Sequence, residues 1–507
     1  MEKPSLALIP SGYKAGKVYS ILPNDSVGDF TFTRNSGATR INKDGLIENV
    51  GETLSDELVT NGGFNTNSNW TVTGEDATHI ATFNNSLRYQ SDTTSPVLSV
   101  NQDLVFEVGK TYKIKTEISD ITSGYVKTDA FGASNNLNAS IGTNIIYGVA
   151  TSTTLNILRG TTNVDVTIDS ISVKEVLTEV NTPRLDYSDG GCPSLLLEPS
   201  RTNYVPNQNV NSYGQNLADV TLSNNPSPDG TINCFRVEGT SSGLRVGIAT
   251  FNVVIGNTYT GSVYVRKVSG SDTAQIVDVD FAAPQTINIT TEWQRFDITR
   301  TATQTTGRIF VNVNQVGDVI EVFGFQIEEG SYATSYIPTN GSISTRAAEL
   351  CVDGGNSDVF NDDEGVLFVE TKSFADLGEA NRYMIISDGA STPYTNHIIF
   401  QYRTDGDFRV YLGGVASSNI AFIVSSIDLS ENHKIAFQYK LNDNKLFIDG
   451  VEQSPYAPFV ETTLSGLNDL SFSLNNSNNF IWRASVKDLR YYDTELTDAE
   501  LTELTTL

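Results

Sequence analysis

The 507-residue chain has only three cysteines, Cys192, Cys234 and Cys351, each far from the others. That scatter excludes a disulfide framework and a Cys-x-x-Cys metal site, and it fits synthesis in a reducing compartment. Histidine is equally scarce: His79, His397 and His433. None lies in a nucleophile elbow or a His-Glu-x-x-His pattern, so each reads as an ordinary surface or strand histidine. No apolar run approaches the roughly 18 residues of a membrane-spanning helix, so membrane insertion is not expected. Nor does the start, Met1-Glu2-Lys3-Pro4, lead into the apolar core of a signal peptide. Positive charge is in deficit. Against 60 acidic residues stand 33 basic ones, a formal net charge of -27 spread over the whole length; it repels phosphate backbones and removes nucleic acid from the expected partners.

What the chain does have is β pattern, and length enough for about three to four domains. Residues 183–204 punctuate it. Ser188-Asp189-Gly190-Gly191 and Cys192-Pro193 form turns, Leu195-Leu196-Leu197 is a short apolar run without helical period, and Glu198-Pro199 ends it. This stretch reads as a compact hairpin joining β-rich blocks. Near the start, Asn42-Lys43-Asp44-Gly45 separates the extended runs 38–41 and 46–50, a strong hairpin signal. So small a hairpin needs a partner, and residues 183–204 are the expected one.

The runs Tyr13-Lys14-Ala15-Gly16-Lys17-Val18-Tyr19-Ser20, Gly28-Asp29-Phe30-Thr31-Phe32-Thr33-Arg34 and Ala38 to Ile47 resemble the N-terminal region of tailed-phage virion appendage proteins. Those proteins continue directly into patterns found here at Asn181 to Tyr187 and at Leu195 to Asn203. Here the halves are apart, so a domain is expected to be inserted between them. The resemblance implies a small split N-terminal β domain, 1–57 and 178–204, that docks onto the virion. A chain lacking residues 1–50, or with Leu195, Leu196 and Leu197 changed to Ser, should then keep its C-terminal module folded.

Residues 110–118 alternate, with Tyr112, Ile114, Thr116 and Ile118 on one face. Residues 255–259 echo 108–112, and residues 168–175 align without gaps on 322–329. In both copies the apolar parity switches midway, from Val166 and Ile168 to Ile171 and Val173, and from Ile320 and Val322 to Phe325 and Ile327. A shared change of face predicts a shared β-bulge and an internal duplication. The opening of the first copy, residues 57–64 with Trp70, resembles jelly-roll carbohydrate-binding modules. Residues 58–177 are thus expected to be an inserted jelly-roll and 205–349 a second. In 350–507, alternation over 435–441, a turn at Asn442-Asp443-Asn444 and the run 445–450 form a hairpin, and the segment resembles the laminin G-like, concanavalin-type family. Thr497 and Glu500 have capping-box spacing and Leu496 and Leu501 staple spacing, so a short helix should start at Asp498. The fold class is all-β: three antiparallel β-sandwiches, two jelly-rolls and one laminin G-like, plus the small split domain.

Some concanavalin-type folds are glycosidases, which need two carboxylates about 5–9 Å apart. The Glu-x-Asp-x-x-Glu strand motif of one such family is absent from 350–507, and the chain is expected to be non-enzymatic, with a carbohydrate-active enzyme or accessory carbohydrate-binding protein as the alternative. Asp353, Asp358, Asp362 and Asp363 crowd one loop, but their spacing is not that of an EF-hand, and they read as a solvated turn. Resemblance to carbohydrate modules implies Asp169 as a structural calcium ligand, whose counterpart in the second copy is Phe323; no other cofactor is expected. Trp70, Trp293 and Trp482 sit in or beside strand patterns and read as core. Tyr89, Tyr125 and Tyr394 lie near loops and are the glycan-binding candidates. Together the resemblances imply a head-fibre or tail-fibre subunit on the virion surface, a homo-oligomeric dimer or trimer contacting other virion proteins and cell-surface glycans.

Overall fold

The computed structural model describes residues 2–507 apart from 104, 133–134, 139–140, 179–180, 207–218, 241–243, 278–283, 340–342, 375–380, 390–394, 415–416, 426, 429, 457–461 and 475–479. The chain is nearly all strand, with one short helix among the described residues. Its sheets are antiparallel and stack in pairs over apolar cores.

The first sandwich pairs two sheets. One runs Gly142–Val149, Thr111–Ser123, Val164–Thr178, Leu87–Ser91, Ile80–Phe83, and the other Asn135–Asn136, Val126–Thr128, Leu155–Arg159, Ser99–Gln102, Thr71–Thr73. In the second sandwich Gln294–Thr301, Thr258–Ser269, Val319–Glu329, Phe235–Glu238 and Asp219–Leu222 repeat the first order, and Gln285–Asn288, Thr273–Val277, Thr306–Val313 and Arg245–Asn252 repeat the second up to its fourth strand. The bulges fall where the parity switch put them. Glu117 pairs with Ser170 but Ile118 with Ile168, leaving Asp169 out of register; Ser262 pairs with Gln326 but Tyr264 with Phe323, so Gly324 and Phe325 oppose Val263 alone. Gly324 takes φ +66°, a value glycine adopts without strain. Even a loop clamp is duplicated: the Tyr112 hydroxyl accepts the Glu107 N–H at 2.7 Å, and the Tyr259 hydroxyl accepts that of Val254 at 3.1 Å.

The third sandwich corrects one expectation. One of its sheets runs Leu185–Asp186, Ser194–Leu197, Ala484–Tyr492, Glu364–Ser373, His433–Lys440, Lys445–Ile448, Val451–Gln453, with Leu6–Leu8 also pairing on Ala484–Tyr492. The expected hairpin exists, since Leu185 faces Leu195 and Asp186 faces Ser194. Its sheet partner, however, is the C-terminal strand: Leu195, Leu196 and Leu197 pair with Val486, Ser485 and Ala484. Leu6, Leu8, Phe30, Phe32, Leu195 and Leu197 share one core with Met384, Phe400, Phe437 and Trp482. Among the described residues the N-terminal segment and the hairpin thus share the core of the C-terminal sandwich and do not form a β domain of their own. The reason is visible in the run itself: three consecutive buried leucines describe a strand covered on both faces, which requires a neighbour on each side and a layer above and below.

Residues 38–50 do meet 181–187, but through single bonds. Ile41 N–H donates to Asp186 Oδ2 at 2.7 Å, and Tyr187 N–H to the Ile41 carbonyl at 3.0 Å. Arg34 and Asn181 exchange two bonds, and Glu52–Leu54 pairs with 176–178 beside them. The first sandwich therefore leaves and rejoins the chain through adjacent antiparallel strands, the geometry of an insertion. At the C-terminus the helix Asp498–Thr505 carries the full capping box at Thr497 and Glu500, and Leu496 and Leu501 pack with Phe368, Phe447 and Tyr492.

Candidate functional site

The residues that carry the resemblance to appendage proteins converge, but out of reach of solvent. Arg34 follows strand Phe30–Thr33; Arg184 and Glu198 flank the hairpin; Arg346 and Glu349 lie on the connector between the second and third sandwiches. Arg184 donates from Nε to Glu349 Oε1 at 2.7 Å, from Nη2 to Glu198 Oε2 at 2.7 Å, and from Nη1 to the Thr39 carbonyl at 2.8 Å. Arg34 Nη1 reaches Glu349 Oε1 at 2.7 Å, and Arg346 Nη1 lies 3.0 Å from Glu198 Oε2. Ser335, from the second sandwich, donates its N–H to Glu198 at 2.9 Å. All five charged side chains are buried.

Burial alone would favour neutral carboxyls here, but the arginines outweigh it: Arg184 and Arg34 hold Glu349, and Arg346 and Arg184 hold Glu198, below the usual carboxylate range. Burial likewise opposes the charge of Arg184, and Glu349 and Glu198 outweigh it, raising that guanidinium above its ordinary value. An ion cluster in which every charge faces an opposite one, cut off from water, is a fastener. It ties the N-terminal segment, the hairpin, the second sandwich and the connector into one unit.

The predicted ligand residues do not gather. Tyr89 is buried, its hydroxyl donates to the Leu98 carbonyl at 2.7 Å, and burial pushes its phenol up to about 12; a ring inside the core cannot stack on a sugar. Tyr125 is half-buried, its ring filling the space beside Gly160 where a Cβ would stand. Tyr394 lies outside the described residues. Asp169 is exposed at its bulge and accepts from the Ser119 hydroxyl at 2.6 Å. Among the described residues no three His, Cys, Asp or Glu side chains converge at Asp169. Its counterpart Phe323 explains the difference between the copies: Phe323 is buried with Tyr336 and Ile47, because the N-terminal hairpin covers that face of the second sandwich.

Other expectations divide similarly. Trp70 and Trp482 are core. Trp293 is not; it is half-exposed, with the Arg266 guanidinium 4.7 Å over its ring and its indole N–H on the Pro226 carbonyl at 3.0 Å. His79 and His397 are buried rather than on the surface. His79 Nδ1 lies 2.8 Å from Asp76, whose carboxyl is held down to about 2 by the Thr78 N–H and by His79. Within the acidic loop, Asp362 accepts the N–H groups of Gly466 and Leu467 at 2.7 and 2.9 Å, which orders a turn. A cavity of about 230 Å³ opens beside it, lined in part by Glu364, Tyr439, Lys440 and Asn444. Two of its carboxylates are engaged, Asp362 by those amides and Glu364 by Lys440 at 2.9 Å.

Sequence reasoning missed a polar and aromatic row on the outer face of the other sheet of the C-terminal sandwich. That sheet runs Ser417–Val424, Phe408–Gly414, His397–Tyr402, Arg382–Ser387, Asp469–Ser471. Met384, Ile386, Ile398, Phe400, Val410 and Leu412 point into the core, so the alternate residues Tyr383, Ile399, Gln401, Arg409 and Tyr411 point outward. Tyr383, Gln401 and Arg409 form one cross-strand row. Tyr383 meets the exposed Phe480 edge-to-face at 5.7 Å. Only strand pairing brings these residues together.

At the sheet edge, burial pushes the Asp469 carboxyl up to about 6, with Asp353 adding to it, while the Ser471 hydroxyl, donating at 3.0 Å, opposes it. Its folded pKa thus exceeds the unfolded value of about 3.9. The protonated form binds the folded state better, so its contribution is full below about pH 4 and lost as pH rises through about 6. Asp469→Asn should be more stable than the parent at pH 7 by on the order of 1–3 kcal/mol, and the advantage should vanish near pH 4; urea melts at the two pH values measure this.

No family model and no curated protein matches the chain. Among solved structures, the carbohydrate-binding module CBM40 of the Ruminococcus gnavus IT-sialidase bound to α2,3-sialyllactose is similar at 13% identity, covering 30% of this chain and 92% of that one, with TM-score 0.25. The NanB sialidase of Streptococcus pneumoniae matches at 12% identity over 29% of this chain and 25% of that one, TM-score 0.26. Domain 4 of AbnA, a GH43 extracellular arabinanase from Geobacillus stearothermophilus in complex with arabinotriose, matches at 16% identity over 35% and 81%, TM-score 0.26. Likenesses this partial leave the chain's own geometry as the basis for its function.

Proposed function

We propose that the chain is a non-enzymatic structural subunit of a tailed-phage particle, a head or tail fibre whose sandwiches present glycan-binding surface at the virion exterior. The observation that carries this reading is the buried Arg–Glu cluster: residues through which the sequence resembles appendage proteins, Arg34, Arg184 and Glu198, are among those that lock the second sandwich to the third. That is the construction expected of a load-transmitting appendage. With Leu195 to Leu197 inside the C-terminal core, attachment falls to exposed surface elsewhere on the chain and not to the hairpin itself. Glycan contact is supported by the ring-and-amide row on the outer sheet, and multivalent display on a homo-oligomer would convert weak single-site affinity into useful avidity. Purified particles labelled with an antibody to this chain, imaged by electron microscopy, should show it projecting from head or tail; particles without it would overturn the appendage reading. Incubation of the purified chain with polysaccharides should release no reducing ends, and cleavage of any of them would favour a carbohydrate-active enzyme instead.

A further inference from the structure

Gln401 and Arg409 are direct cross-strand partners on the outer face. Gln401 Nε2 donates to the Tyr383 hydroxyl at 2.8 Å, but Oε1 is buried and accepts from no donor among the described residues. Inverting the amide would leave its NH2 group unpartnered opposite the Arg409 guanidinium, donor facing donor, so the arginine favours the orientation in which Oε1 is the free end. Opposite it, Arg409 donates through Nη2 to Asp407 at 2.8 Å, while its buried Nε–H finds no acceptor among the described residues. Native proteins seldom leave a buried polar atom unmatched, and here an acceptor and a donor stand together.

The pattern selects a ligand chemistry. A group that fills both must give one hydrogen bond and take another at the same point, which a hydroxyl does, a carboxylate cannot, and an ammonium cannot. Rings flank the pair: Tyr383, braced edge-to-face by Phe480, and Tyr411 two residues beyond Arg409 on the same face. Such rings match the C–H face of a sugar. Charge narrows the class further. Asp407 and Asp405 already neutralise Arg409, at 2.8 and 3.5 Å, and the chain carries net charge -27, so acidic sugars are repelled.

We propose that this face binds a neutral, hydroxyl-rich glycan, one sugar hydroxyl bridging Gln401 Oε1 and Arg409 Nε while a sugar ring lies against Tyr383 or Tyr411. The assignment rests on the glycan-contact part of the function proposed above. Both atoms are shielded in the free chain, so binding requires the groups that cover them to move aside.

The test is affinity electrophoresis of the full chain through gels containing dextran, mannan or galactan, and through gels containing alginate or polygalacturonate. Retardation is expected by at least one neutral polysaccharide and by neither acidic one. Gln401→Ala, and Arg409→Lys, which keeps the charge but removes Nε–H, should each weaken retardation about tenfold, the effect of one lost hydrogen bond. Unchanged Trp482 fluorescence melting would establish that both variants fold. Retardation that survives both substitutions would overturn this site but leave glycan binding standing. Retardation by the acidic gels alone would overturn the neutral class. No retardation by any of the five would overturn site and glycan contact together, and the particle imaging above would then judge the appendage reading by itself.

Discussion

Glu349→Gln should destabilise the folded chain by about 3–5 kcal/mol, the effect of stripping the partner from a buried charge. Glu349 alone bridges Arg34 and Arg184, and glutamine, of the same shape, would leave two guanidinium groups buried against too little negative charge. Three single-tryptophan versions of the protein read the consequence locally. Trp482 and Trp293, in the third and second sandwiches, should lose denaturant midpoint together, because the cluster joins both; Trp70, in the inserted sandwich, should hold its own. A shift confined to one reporter would mean that the cluster does not couple them. Acid should reproduce the effect. Both Glu349 and Glu198 have folded pKa values below the unfolded one of about 4.3, so their contribution is full above it and lost as pH falls through the folded values. The parent should weaken steeply below about pH 4, and Glu349→Gln less so.

The second large effect crosses the chain. Phe30→Ala should cost about 3–5 kcal/mol and Leu195→Ala about 2–5 kcal/mol, both read at Trp482. Phe30 is buried against Phe472, ring centroids 5.6 Å apart, and Leu195 pairs with Val486. Removal of residues 1–50 should therefore unfold the C-terminal sandwich, the reverse of what an independent docking domain would allow. A truncated chain with native Trp482 emission and an unchanged midpoint would contradict the shared core.

What could be read in advance was local. The Asp44-Gly45 turn, the capping box at Thr497 and the bulge beside Asp169 each declare themselves within a few residues, and all three are present. The duplication was legible because two copies make the same departure from alternation. Tyr89 was misjudged for the opposite reason: it sits one strand end from a loop, and only the pairing of Leu87–Ser91 with Val164–Thr178 turns it inward. The partner of Leu195 to Leu197 lies nearly the whole remaining chain away, and no periodicity encodes such a distance. Gln401 and Arg409 were invisible alike, since a row across a sheet is a property of register and not of any one strand.

Strand Leu6–Leu8 pairs with Leu489–Tyr491. A ribosome delivers Leu489–Tyr491 long after Leu6–Leu8, so the inserted and second sandwiches can close while Leu6, Phe30 and Leu195 still wait uncovered. Completion of the last sandwich is thereby a check on length: a chain that stops short leaves those apolar side chains exposed, open to capture by chaperones or to aggregation.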